Sequence, residues 1–215
     1  MMEDFKKRKP ELISELCWRS YAIFIPLLQV EGDWHFLFEV RSSNLKNQPG
    51  EVSFPGGAVE EGEGPQEAAL RECREELALN EGQMKILGRG DTLITPAGKR
   101  LDTFIGLLTD YQNTYLPDEV SRVFTVPISY FRENPPLITD NPISLKIAEN
   151  FPLDWIPQGK NYPWQMGSYR VLFYPHKEAL IWGITARLLH SALALIDEYQ
   201  LVDYFPKPSK KSDDK

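Results

Sequence analysis

Three glutamates, Glu72, Glu75 and Glu76, stand at spacing i, i+3 and i+4 in a stretch where Ala69, Leu70, Cys73 and Leu77 recur at the same helical period. This pattern predicts a helix opening at Pro65 and running to about Leu77, with an apolar face for packing and an opposite face crowded by like charges. Repulsion would weaken that helix in isolation. The chain must therefore lay it on a hydrophobic layer and neutralise its carboxylates. A hard cation such as Mg²⁺ or Mn²⁺ prefers carboxylate oxygen and also grips phosphate. A Glu-rich face can equally be solvated surface, screened by Arg71 and Arg74. The loop just before the helix, Glu60-Glu-Gly-Glu-Gly, favours the cation, because glycine suits places where backbone approaches a ligand closely.

The layer is supplied by strand-like runs. Tyr21 to Leu28 and Trp34 to Val40 flank the turn Glu31-Gly-Asp, and Lys85 to Gly90, Leu101 to Leu108, Arg122 to Pro127 and Tyr169 to Tyr174 read as further strands. A short helix is expected over Pro10 to Cys17. A long one is expected over Glu178 to Tyr199, where Leu180, Ile184, Leu188, Leu195 and Tyr199 recur at helical spacing. Strands interrupted by two main helices imply a mixed α/β chain, expected as one domain over residues 1–205 with a disordered tail at 206–215. The stretch 132–166 is dense in Pro, Asn and aromatics, and is expected to be irregular: a lid over a pocket, a homodimer contact or surface padding.

Charge and cysteine content narrow the function. With 215 residues and a net charge of −7, the chain lacks the basic face of a general nucleic-acid binder. Bound cations or local Lys and Arg could still hold a small polyanion. Cys17 and Cys73 form neither a disulfide framework nor a CxxC metal pair, which fits a reducing compartment. No apolar run follows the first charged residues, and none reaches the roughly 20 residues of a membrane span, so a cytoplasmic location without membrane association is expected.

Gly57 to Leu79 resembles the Nudix box, Gly-x5-Glu-x7-Arg-Glu-U-x-Glu-Glu-x-Gly-U with U apolar. Gly57, Glu63, Arg71, Glu72, Glu75, Glu76 and Leu79 fall in register, and Ala78 replaces the second glycine. The resemblance implies a Nudix-type α/β/α sandwich with a mixed sheet and metal-assisted hydrolysis of a diphosphate. It also implies Mg²⁺ or Mn²⁺ held by Glu72, Glu75, Glu76 and the Gly57 carbonyl, with Arg71 orienting a carboxylate. Glu63 would be structural, paired with Arg71. Glu75 or Glu119 would be the general base, although Glu119 also suits a plain surface-turn role.

Upstream, Leu37-Phe-Glu-Val-Arg41-Ser42, Lys46, Gly50 and Phe54-Pro-Gly-Gly57 resemble the motif of the coenzyme A pyrophosphatase branch. Lys46 stands in place of an arginine, keeping the charge without the planar fork. The substrate would be a nucleotide of the coenzyme A class, contacted by Arg41, Lys46 and Gly56 and cut to 4′-phosphopantetheine and adenosine 3′,5′-bisphosphate. Two alternatives stay open: another nucleoside diphosphate derivative such as ADP-ribose, a dinucleotide or an oxidised nucleotide, and a non-catalytic nucleotide-binding domain.

Overall fold

A computed structural model describes residues 19–202 apart from Glu81 and Met166. The helix expected at Pro10 to Cys17 and the tail at 206–215 lie outside the described residues. Strand β1 (Arg19–Val30) organises the rest. Successive strand side chains leave opposite faces, so Ile23, Ile25 and Leu27 enter one core cluster while Ala22, Phe24 and Leu28 enter another.

Along one edge, β1 pairs in parallel with β6 (Lys99–Leu108), which is followed by antiparallel β5 (Met84–Ile94). Along the other edge two partners share it. Leu27–Val30 pairs with the start of β2 (Asp33–Arg41), and Tyr21–Ile23 pairs with β4 (Gly56–Ala58). Beyond Phe36, β2 leaves β1, and its Glu39 and Val40 pair with β3 (Val52–Ser53), while β7 (Val120–Pro127) pairs with β2 from His35 to Arg41. Helix α1 (Pro65–Glu76) covers the Ala22–Phe24 face through Ala68, Ala69 and Cys73. Helix α2 (Ile128–Glu133) and the longer α3 (Gly183–Glu198) cover the opposite face, using Phe131, Ala186, Leu189 and Ile196. The expected α/β/α sandwich around a mixed sheet is thus formed.

A second sheet runs in the order β10 (Leu180–Trp182), β9 (Ser168–Pro175), β8 (Leu137–Pro142), and it corrects two expectations. Leu180, Ile184 and Leu188 have helical spacing, yet Leu180 to Trp182 is strand paired with Phe173 to Pro175. The helix starts only at Gly183, whose φ of +64° marks the break. The 132–166 stretch likewise contains β8 and two short 3₁₀ turns, Leu153–Trp155 and Gly159–Asn161. Strand β5 also outruns its expected end at Gly90, which reads as a breaker. A Cβ at Gly90 would stand 2.4 Å from Thr103 Oγ1, so glycine is what lets β5 approach β6 there.

The split between β2 and β1 positions the site. The connecting chain is pinned by Phe54, 3% exposed, which stacks on Phe38 at 4.8 Å, while Phe38 stacks on Phe124 at 5.4 Å. Truncating such an aromatic costs about 3–5 kcal/mol. The Phe24 N–H then donates to the Pro55 carbonyl at 2.9 Å, delivering Gly56 and Gly57 onto β1.

Candidate active site

Helix α1 begins with Pro65 at its first turn, and the Gly64 N–H donates to the Glu67 carboxylate at 2.8 Å. Its end is a Schellman arrangement. The Leu79 N–H donates to the Arg74 carbonyl at 2.9 Å and the Ala78 N–H to the Glu75 carbonyl at 3.2 Å, with Ala78 in the left-handed region at φ +49°. The position where the box has glycine is therefore one that glycine favours, and alanine holds it under strain.

Arg71 ties the acidic loop to the helix. Its Nε and Nη2 donate to the two Glu63 oxygens at 2.9 and 3.1 Å, and Nη2 also reaches the Ala58 carbonyl at 3.2 Å. This is the pairing expected of Glu63, and the guanidinium holds the Glu63 carboxyl below the usual carboxylate range. Nη1 donates to Glu72 at 2.8 Å and to Glu75 at 3.3 Å. The three helix glutamates sit in different surroundings: Glu75 is exposed, Glu72 partly buried, and Glu76 only 3% exposed. Glu76 turns inward to accept from the Gly56 N–H at 2.8 Å.

A fourth carboxylate joins them, one that lies within the upstream motif but has no role implied by it. Glu39 on β2 is 1% exposed; one oxygen accepts from Ser53 Oγ at 2.8 Å, and Oε2 is buried with no hydrogen-bond partner. The signal was present in the alternation Leu37-Phe38-Glu39. Leu37 packs toward α1 and Phe38 toward the other core, so Glu39 must share the Leu37 side, toward Glu76. Burial and mutual repulsion push the Glu39 and Glu76 carboxyls above the usual range, and burial raises Glu72 against the pull of Arg71. Glu119, on the turn before β7, accepts from the Ser42 N–H at 2.8 Å through its backbone carbonyl, and its like charge acts on both Glu39 and Glu72.

This oxygen-only donor set suits a hard divalent cation, and the unpartnered Glu39 Oε2 and the raised carboxyls are what such a cation would relieve. Among the described residues, no three such side chains already surround one cation position. Arg71 Nη1 occupies Glu72 and Glu75 instead, and a cation would take over that contact. Gly57 keeps the approach open, since a Cβ there would lie 2.3 Å from the Glu72 carboxyl group.

Gly56 and Gly57 also line a cavity of about 720 Å³ on the α3 side of the sheet, together with Arg41, Lys46, Tyr169 and Trp182. The structure thus brings Arg41, Lys46, Gly56 and Gly57 together. Glu72, Glu75, Glu76 and Glu119 are outside the lining, with Glu72 and Glu76 touching the glycines from the α1 side. Trp182 stacks on Phe173 at 6.1 Å and keeps 43% exposure toward this space. No described residue of 132–166 lines the cavity, so its lining gives no support to the lid expectation.

Comparison with known proteins adds an independent line. The model of the NUDIX domain matches residues 18–164. Nudix hydrolase 3 of Caenorhabditis elegans is 29% identical over 196 residues, 88% of this chain and 79% of that protein. The peroxisomal coenzyme A diphosphatase NUDT7 of Mus musculus is 36% identical over 126 residues, 55% of this chain and 51% of its own length. The uncharacterized Nudix hydrolase NudL of Escherichia coli (strain K12) is 27% identical over 195 residues, 87% and 91% of the two chains. Among solved structures, a C. elegans Ap4A hydrolase binary complex aligns with TM-score 0.44 and 22% identity over 51% of this chain and 80% of that one. Among the described residues, no helix is long and apolar enough to cross a membrane. A match that runs from β1 through the glycine strand and the carboxylate helix to beyond β7 covers more than half the chain, and the chain belongs to the Nudix family.

Proposed function

We propose that this Nudix hydrolase cleaves the diphosphate linkage of coenzyme A or its thioesters, releasing 4′-phosphopantetheine or its acyl form and adenosine 3′,5′-bisphosphate. At the coarser level it is a pyrophosphohydrolase of nucleoside diphosphate derivatives, in a family that uses divalent metal ions such as Mg²⁺ or Mn²⁺. The observation that carries the finer reading is the meeting, at Gly56 and Gly57, of a carboxylate cluster with a cavity walled by Arg41, Lys46 and aromatic faces. The name of the mouse relative supports the same substrate class.

In this reading Glu72, Glu75 and Glu76, with the Gly57 carbonyl, hold the cation. A bound divalent ion supplies Lewis acidity to the diphosphate and acidifies a bound water. Arg41 and Lys46 neutralise phosphate oxygens beyond the metal's reach, Arg41 lying close enough to stabilise the charged forms of Glu39 and Glu76. Arg71 sets the orientation of Glu72. Glu119 or Glu75 accepts the proton of the attacking water. Glu119 is near enough for its charge to act on Glu39 and Glu72, and Glu75 is the exposed member of the helix set.

Product analysis with coenzyme A, acyl-coenzyme A, ADP-ribose, dinucleotides and oxidised nucleotides, in Mg²⁺ and in Mn²⁺, tests the reading. Turnover of coenzyme A or a thioester at the diphosphate supports it, and absence of such turnover overturns it.

A further inference from the structure

We infer that Arg19 and Lys99 form a second anion subsite in the same cavity, taking a phosphate monoester that the substrate carries apart from its diphosphate. The inference rests on the coenzyme A reading, whose 3′-phosphate is such a group.

Arg19 and Lys99 are direct partners on the parallel strands β1 and β6, and both line the cavity with Tyr21, Ile23 and Leu101. Strand alternation accounts for this: positions 19, 21 and 23 share one face of β1, and 99 and 101 share that face of β6. Like charges side by side on neighbouring strands oppose pairing. Among the described residues, neither cation has a carboxylate partner to offset this. Asp102, on the opposite face of β6, is committed to Arg89 at 2.6 Å and Arg100 at 3.1 Å. The carboxylate in the cavity lining, Glu51, accepts from Gln48 Nε2 at 2.9 Å. Lys99 instead sits over the Tyr21 ring, its Nζ 5.3 Å from the centroid. The lining therefore carries four cationic side chains, Arg19, Arg41, Lys46 and Lys99, against one already bonded carboxylate.

The pair is separate from the diphosphate position. Gly56 is level with Ile23, and Arg19 lies four strand residues away, about 13 Å at roughly 3.3 Å per residue. Flexible Lys and Arg side chains shorten that gap, which leaves room for a nucleoside between the two anions. Trp182 and Tyr169 give the same cavity flat faces suited to a base.

The test compares coenzyme A with 3′-dephospho-coenzyme A in the wild type, in the Arg19→Gln/Lys99→Gln double variant and in Lys99→Arg. Calorimetric binding of adenosine 3′,5′-bisphosphate against AMP to the metal-free proteins provides a readout independent of turnover. The wild type is expected to favour the 3′-phosphorylated compound in each pair by about tenfold or more. The double variant should lose that preference through KM with kcat unchanged, and Lys99→Arg should keep it. Equal effects on both members of each pair, or none, would overturn the subsite while leaving the coenzyme A reading intact. Failure of the wild type to hydrolyse either coenzyme A form overturns the reading itself. Unchanged melting temperatures exclude misfolding as the cause.

Discussion

Replacing Ala78 with glycine should stabilise the protein. Ala78 occupies the left-handed position of the helix-ending motif at φ +49°, bonded through its N–H to the Glu75 carbonyl. An L-residue with a Cβ pays about 1–2 kcal/mol to sit there. Glycine removes that strain but brings a looser unfolded chain, which costs back about 0.4–1 kcal/mol. The balance is a gain of about 0.5–1 kcal/mol, corresponding to a melting-temperature rise of about 1–4 °C for a chain of this size. Urea denaturation followed by circular dichroism measures it as a higher midpoint at unchanged slope. The same substitution at Ala194, exposed within α3, should do the reverse and lose about 1 kcal/mol, because there glycine only weakens a helix. An Ala78→Gly midpoint at or below that of the wild type would refute the strain argument, and opposite shifts at the two alanines would uphold it.

The carboxylate cluster predicts an unusual dependence on pH. Glu39 and Glu76 have folded-state affinities for protons above the ordinary value of 4.5, so they bind more protons folded than unfolded. Their contribution to stability declines as pH rises from that value toward their folded ones. Chelator-treated protein should therefore lose stability between pH 5 and pH 8 by urea titration, and Glu76→Gln should flatten the slope while abolishing hydrolysis; full activity in that variant would show that the metal site is misplaced. Asp102 acts in the opposite sense. It is held below the ordinary range by Thr92, Arg100 and Arg89 against its burial, so its contribution is present above that range and fades as pH falls through the lowered value. Asp102→Asn should destabilise the protein by about 1–3 kcal/mol at pH 7, and by less near pH 3. Gly57→Ala should fold but displace the Glu72 carboxyl group that its Cβ would meet at 2.3 Å. Its Mn²⁺ affinity should fall by calorimetry, and an unaltered affinity would remove Glu72 from the ligand set.

Much of this molecule was legible in the chain because short-range rules govern it. The period of Glu72, Glu75 and Glu76 against Ala69, Cys73 and Leu77 placed α1 and its buried face, and the apolar run from Tyr21 to Leu28 placed β1, whose side chains only the fold divides between two core clusters. What sequence periodicity could not reveal was set by partners distant in the chain. Leu180 to Trp182 has helical spacing but becomes strand because β9 offers it a ladder. Glu39 reads as an ordinary strand residue until the fold sets it against Glu76, 37 positions later, and buries both in a medium that penalises charge. The glutamate face that first constrained the fold was determined by sequence alone. Its division into an exposed Glu75, a tethered Glu72 and a buried Glu76 was decided by the tertiary structure. A helix fixes which way side chains point, whereas only the layer beneath fixes what they meet.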